Sequence, residues 1–141
     1  MVQSVQKRRT RRFEIPGAKV RYKKIRLLVL ASNFSDAYPV MNISEGGLAF
    51  TCEERLGKNR KLLLQLLVPN ETPMDLRAQV QWQECPPYRA DKIVGVKFMP
   101  FGSRRGWNSH KLLNVLRKLD AQYANKENEK IESNSIREGP K

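Results

Sequence analysis

Short apolar runs separated by turn residues make up most of the chain between Val20 and Met99. This pattern is typical of an antiparallel barrel or sandwich. Alternation is clearest from Leu76 to Gln83, where the even positions are apolar and the odd positions are polar, so this strand has one buried face. The pattern predicts strands at about residues 18–31, 40–43, 47–51, 60–68, 76–83 and 93–98.

The hydrophobic period changes after Gly102. One helical stripe is then formed by Leu112, Val115 or Leu116, Leu119 and Tyr123. We therefore predict a helix over about residues 104–125 that packs against the strands. Residues 126–141 are mostly polar and cannot offset the entropy of ordering, which predicts a disordered tail. Periodicity thus indicates an all-β barrel with a C-terminal helix at residues 14–125, preceded by a flexible arm at residues 1–13.

Positive charge is concentrated in the N-terminal part of the chain. The formal net charge is +13, and residues 1–26 hold ten Lys and Arg side chains against one carboxylate, Glu14. Such a segment attracts a polyanion, an anionic lipid surface or a small phosphorylated ligand, and charge alone does not choose among them. Four of the five cations between Lys7 and Arg12 are arginines. A guanidinium can bind phosphate bidentately, stack on a base or pair with guanine.

The sequence does not carry the motifs of catalysis, metal binding or membrane insertion. It has one histidine, His110, and no HExxH, GxSxG, Walker-type or GxGxxG motif, so we predict no enzyme activity. Cys52 and Cys85 are far apart and have no clustered partners, which predicts ordinary thiols without a metal or other cofactor. Without a long apolar run, we expect a cytoplasmic protein with no membrane insertion.

A second candidate feature is the segment Asn42-Ile43-Ser44-Glu45-Gly46-Gly47 at a strand end. One interpretation is a tight turn in which Asn42 and Ser44 bond the local backbone and Gly46 or Gly47 takes a positive φ. The other is a binding edge, where short polar side chains and bare glycine backbone let a flat polar ligand approach closely.

The two features together resemble the paired signature of PilZ domains. Arg8 and Arg12 form Arg-x-x-x-Arg before the first strand, and Asn42, Ser44 and Gly47 form Asn-x-Ser-x-x-Gly about thirty residues later. The resemblance extends over roughly residues 6–101. It includes Gly-Leu-Ala-Phe at residues 47–50, Val-Gln-Trp at residues 80–82 and the closing strand at residues 94–98.

The resemblance implies a stand-alone domain with a six-stranded antiparallel β-barrel. The mouth of this barrel would bind the bacterial second messenger cyclic di-GMP, often as a stacked dimer. By position, Arg8 and Arg12 match the arginines that grip guanine and phosphate, and Arg9 is a helper. Further predicted contacts are Asn42, Ser44 and the Gly46-Gly47 backbone. Trp82 is either a core residue or an aromatic wall facing the ligand.

The implied function is a receptor that reports the level of cyclic di-GMP to an unidentified downstream effector protein, in motility, biofilm or virulence control. Ligand binding would order residues 6–13 over the barrel mouth. One alternative is a PilZ-like adaptor that does not bind the ligand. The other is a basic barrel that binds nucleic acid. The aromatic residues argue against it, because they are scattered rather than clustered.

Overall fold

The computed structural model describes residues 12–25 and 33–137, with side chains as far as Ala124. Its strands are β1 (Lys19–Lys24), β2 (Tyr38–Ile43), β3 (Gly47–Cys52), β4 (Lys61–Leu67), β5 (Met74–Glu84) and β6 (Lys92–Phe98). They pair antiparallel into a closed barrel with the ring order β1-β2-β3-β6-β5-β4. The predicted six-stranded barrel is confirmed. Strand β1 is described as far as Lys24, and residues 26–31 of the predicted strand lie outside the described residues.

Alternating side chains from the strands fill the barrel interior. Strand β4 shows the pattern most clearly, because Leu62, Leu64 and Leu66 have no exposed surface whereas the residues between them are partly exposed. Burial of each leucine contributes about 1.5–3 kcal/mol relative to exposure. Closure gives each of the six strands a partner on both sides, and the shortest pairing is that of β1 with β2, at Lys19↔Pro39 and Val20↔Tyr38.

A single helix, α1 (His110–Arg137), follows the barrel in the described part of the chain. It begins later than residue 104, because Gly106 has a φ of 84° and the buried Asn108 is hydrogen-bonded to the sheet. It also continues beyond residue 125 into the segment predicted as a disordered tail. No proline or glycine occurs between His110 and Gly139, so the sequence contains no strong helix breaker there.

The apolar stripe of α1 packs onto the barrel, as the spacing of its residues predicts. Leu116 and Leu119 are buried in the same core as the strand residues, and Leu112, Val115 and Tyr123 pack against that core. Among the described residues, no helix has a stretch both long and apolar enough to cross a membrane.

A polar cluster joins β1 to the loop after β3. The Tyr22 hydroxyl donates a hydrogen bond of 2.6 Å to Glu54 Oε1, and the Lys24 ammonium pairs with Glu54 Oε2. The Tyr22 ring also stacks on Tyr38. Burial alone would raise the pKa of Glu54, but the hydrogen bonds from Lys24 and Tyr22 hold this pKa below its usual value.

We predict that Glu54→Gln destabilises the protein at neutral pH by roughly 0.2–1 kcal/mol, the usual size for a partly exposed ion pair. The folded-state pKa of Glu54 is lowered, so its stabilisation is fully present above the ordinary value of 4.5 and is lost as pH falls through the folded pKa. Urea unfolding of both proteins should therefore show a stability difference that shrinks in acid. Glu53→Gln, at an exposed position beside it, is the control. A difference that stayed constant with pH would contradict this account.

Candidate functional site

The N-terminal segment is fastened to the barrel at Phe13. The Phe13 N–H donates to the Ile43 carbonyl at 2.8 Å, and the Ile43 N–H donates back to the Phe13 carbonyl at 2.9 Å. The Phe13 side chain is 1% exposed and belongs to the core. The predicted arm at residues 1–13 therefore includes one residue too many at its end, because Phe13 is packed in the core. This bridge places Arg12 beside the end of β2.

The segment from Asn42 to Gly47 forms the tight connection between β2 and β3. The Ser44 N–H donates to the Gly47 carbonyl at 2.8 Å, and the Ser44 hydroxyl accepts the Gly46 N–H at 3.1 Å. Ser44 therefore shapes the turn. The expected positive φ at Gly46 or Gly47 is wrong, because neither residue has one. The turn closes through its hydrogen bonds without the left-handed conformation.

Gly47 is required by close packing between two strands. A Cβ added at Gly47 would lie well under 3.0 Å from the Val96 carbonyl oxygen of β6, a separation that real Cβ atoms essentially never show. The neighbouring atoms are backbone, so a larger residue would have to displace a strand. The glycine of the predicted signature therefore has a structural reason in this barrel.

A β-bulge in β5 determines where Trp82 lies. Val80 pairs with Val96, but the next partner of β6, Gly95, pairs with Trp82, so Gln81 is an extra residue. An inserted residue reverses the faces of all the residues after it. Trp82 is accordingly 40% exposed, although the alternation of Leu76, Ala78 and Val80 would put it in the core. The core interpretation of Trp82 is thus wrong.

The indole of Trp82 lies over Gly95 of the neighbouring strand. A Cβ on Gly95 would lie well under 3.0 Å from three atoms of the indole ring. The absence of a side chain at Gly95 therefore lets the ring lie against the sheet. This contact fixes one face of the indole on the protein.

These elements surround one cleft of about 190 Å³. Six of the eight predicted site residues line it, namely Arg12, Asn42, Ser44, Gly46, Gly47 and Trp82. The other two, Arg8 and Arg9, lie outside the described residues. Lys97 also lines the cleft, and none of its described lining residues is acidic. The cleft therefore combines two cations, two side-chain amides, exposed backbone and an aromatic ring, a set suited to a phosphorylated ligand with a flat ring.

Glu45 belongs to the 42–47 turn that lines the cleft, and its carboxylate is paired with the helix. The Arg117 Nε of α1 donates to Glu45 Oε1 at 3.2 Å. Because the Arg117 side chain is 58% exposed, this ion pair contributes at most about 1 kcal/mol. It nevertheless neutralises a negative charge beside a cleft that is otherwise basic.

Sequence reasoning missed Gln81, Gly95 and Lys97 as residues of the cleft. Gly95 carried a usable signal, since a glycine inside a strand often marks a bulge or a close approach. Lys97 occupies an outward position of β6 and had no distinguishing context in the sequence. His110, the one histidine, is exposed at the start of α1 and is not among the residues that line the cleft.

Fold and cleft together define a small closed barrel with an anion-attracting mouth beside a hairpin turn. A family model described as PilZ domain matches residues 6–106, and the chain therefore belongs to the PilZ domain family. The match spans the N-terminal arginines, the turn and all six strands. A comparison with curated proteins finds no match.

We predict that Gly95→Ala expels the Trp82 ring from its position while the barrel remains folded, because the ring can swing into solvent more easily than a strand can move. In a Trp107→Phe background, which leaves Trp82 as the only tryptophan, the fluorescence emission should shift to longer wavelength. Far-UV circular dichroism checks that the barrel persists. An unchanged emission maximum in the folded variant would show that the ring does not depend on Gly95.

Proposed function

We propose that this PilZ domain is a receptor for cyclic di-GMP, which binds in the cleft between Arg12, the 42–47 turn and Trp82. The observation that carries the proposal is the convergence of these elements from three distant parts of the sequence on one basic cleft. The family is known for binding this dinucleotide, and the cleft offers the chemical groups that its two phosphates and two guanines require.

Each polar group of the cleft suits a different part of the ligand. Arg12 can form a bidentate contact with a phosphate or with the O6 and N7 of guanine. The amide of Asn42 supplies both a donor and an acceptor to a guanine edge. Ser44 already holds the turn through the Gly46 N–H, so its main role in the proposal is to present the backbone of Gly46 and Gly47.

Trp82 is proposed as the stacking surface for a guanine. Its ring is held against Gly95 on one side and is 40% exposed, so the free face is available to a flat base. Stacking on an aromatic side chain contributes about 1–3 kcal/mol per base. Micromolar binding requires about 8 kcal/mol, so the arginine contacts and the stacked base must act together.

The size of the cleft supports a contribution from residues 6–11. Pockets that enclose a small organic ligand usually have volumes of about 300–1,000 Å³. The described walls form only about 190 Å³, too little to enclose a dinucleotide. In the proposal, Arg8 and Arg9 close over the bound ligand from the anchor at Phe13. The surface formed in this way would be recognised by a downstream effector protein.

Replacing Arg12 tests the proposed site directly. If Arg12 makes one bidentate contact with the ligand, Arg12→Ala should weaken cyclic di-GMP binding by about 1–3 kcal/mol, or roughly 5- to 150-fold. Isothermal titration calorimetry of the native chain, Arg12→Ala and Arg8→Ala/Arg12→Ala measures this loss. The matched control is Arg55→Ala/Arg105→Ala, which removes two exposed arginines that do not line the cleft.

Parallel titrations with GTP and with a short oligonucleotide separate the competing functions. The proposal requires that cyclic di-GMP binds more tightly than either, and that the control variant retains nearly native affinity. Binding of the oligonucleotide alone would favour the nucleic-acid barrel. No binding of any nucleotide by the folded chain would favour the PilZ-like adaptor.

The ordering of the arm is testable by amide hydrogen exchange. Saturating cyclic di-GMP should slow the exchange of residues 6–11 by at least tenfold, because new charge-assisted contacts hold the segment. The Phe13 amide is an internal control, since its hydrogen bond to Ile43 is already present without ligand. Equal exchange rates for residues 6–11 with and without bound ligand would refute the arm mechanism but not the binding site.

A further inference from the structure

The outer face of β1, β4 and β5 carries a dense group of positive charges, which we call the basic face. Side chains alternate along these strands, so every second residue points outward. Cations occupy five of these outward positions, namely Lys19, Arg21 and Lys23 on β1, Lys61 on β4 and Arg77 on β5. Across the stretch where the three strands pair, Asp75 is the only acidic residue at an outward position.

Strand pairing places two leucines among these cations. Leu63 of β4 is paired with Lys23 on one side and with Arg77 on the other, and Leu67 is paired with Lys19. Neighbouring strands are about 4.8 Å apart, so each leucine is flanked directly by a cation. Both leucines are partly exposed. These two leucines, which are separated by the outward Gln65, are what we call the apolar strip of β4: Leu63 has a cation on both sides, and Leu67 has one on the β1 side.

The cations of the basic face are not neutralised within the described part of the protein. Lys19, Arg21, Lys61 and Arg77 make no ion pair with a described residue, and the Lys23 ammonium lies over the Phe34 ring at 4.5 Å. Like charges on adjacent strands repel one another. An acidic partner would relieve this repulsion, and the relief would favour its binding.

The basic face is separate from the cleft. In the ring order, β4 is three strands away from β3 in either direction, so the two strands lie on opposite sides of the barrel. The cleft is formed around the start of β3 and the adjoining ends of β2, β5 and β6. The two surfaces share no described residue, so a partner on one does not occupy the other.

We propose that the basic face docks an acidic protein surface with an apolar centre. An apolar middle with a charged rim is the usual anatomy of a protein interface. Across the stretch where the three strands pair, no outward strand residue is aromatic, and the Phe34 ring beside them is already covered by the Lys23 ammonium, so the basic face offers nucleic-acid bases little to stack on. Its leucines are only partly exposed and offer little area for insertion into a lipid surface. A second copy is not complementary, because the chain has a net charge of +13. This inference does not depend on cyclic di-GMP binding.

Two synthetic peptides of equal length and charge test the proposal, one alternating glutamate with leucine and the other alternating glutamate with serine. Calorimetry should show that the glutamate-leucine peptide binds more tightly to the native chain. Lys19→Glu/Arg21→Glu/Arg77→Glu should weaken its binding at least tenfold. The control Arg55→Glu/Arg105→Glu/Lys118→Glu makes the same change in net charge at exposed sites elsewhere and should weaken binding less than threefold.

Leu63→Thr/Leu67→Thr tests the apolar strip. This variant keeps strand-favouring residues and every cation, so it should lose the preference for leucine over serine while still binding both peptides weakly. On the native chain, amide chemical shifts should change along β1, β4 and β5. These shift changes show where the peptide binds on the native chain, so the proposal can be tested even if a charge-reversed variant fails to fold.

Three results would overturn the proposal. The first is an equal loss of affinity in the basic-face and control variants, which would show a response to net charge alone. The second is peptide-induced shift changes that map to the cleft or to α1. The third is tighter binding at the basic face by an oligonucleotide or by anionic phosphatidylglycerol vesicles, which would assign this face to nucleic acid or to membrane.

Discussion

Closure of the barrel constrains β5, because this strand must pair with β4 through residues 74–79 and with β6 through residues 78–84. Strict alternation of buried and outward side chains continues along β5 as far as Val80. The extra residue Gln81 then changes the register with β6, and the side chain of Trp82 leaves the interior. Gly95 provides the space that the indole occupies. The aromatic wall of the cleft therefore depends on one inserted residue and one missing side chain in the neighbouring strand.

The position of Arg12 depends on a different interaction, the backbone bridge between Phe13 and Ile43. Burial of the Phe13 ring contributes about 1.5–3 kcal/mol, enough to hold the end of the N-terminal segment against β2 without a ligand. Ile43 also adjoins Ser44 at the start of the turn. The bridge between Phe13 and Ile43 thus sets the distance between Arg12 and the 42–47 turn.

The parts of the structure that depend on periodicity could be predicted from the sequence. Alternation gave the strands, and the spacing of Leu112, Leu116 and Leu119 gave the packed face of the helix. The predicted convergence of Arg12 with the 42–47 turn came from the family resemblance, since periodicity does not bring distant segments together. The sequence left Trp82 open between a core residue and an aromatic wall facing the ligand, because a one-residue bulge leaves the polar and apolar pattern unchanged. The helix begins at His110, later than the predicted bound of about residue 104, although Gly106 is a helix breaker that the sequence already shows.

The tight packing of Gly47 against Val96 affects how the Asn-x-Ser-x-x-Gly motif should be interpreted in other barrels of this kind. A barrel with this strand spacing needs a glycine there whether or not it ever meets a nucleotide. The glycine is therefore a marker of architecture, and its presence says little about ligand recognition. The side chains of Arg12 and Asn42 make no hydrogen bond or ion pair with a described residue, so their identities are the more informative guide to binding. Under the proposed function, a chain that kept the glycine but lost these two side chains would still fold and would not bind cyclic di-GMP.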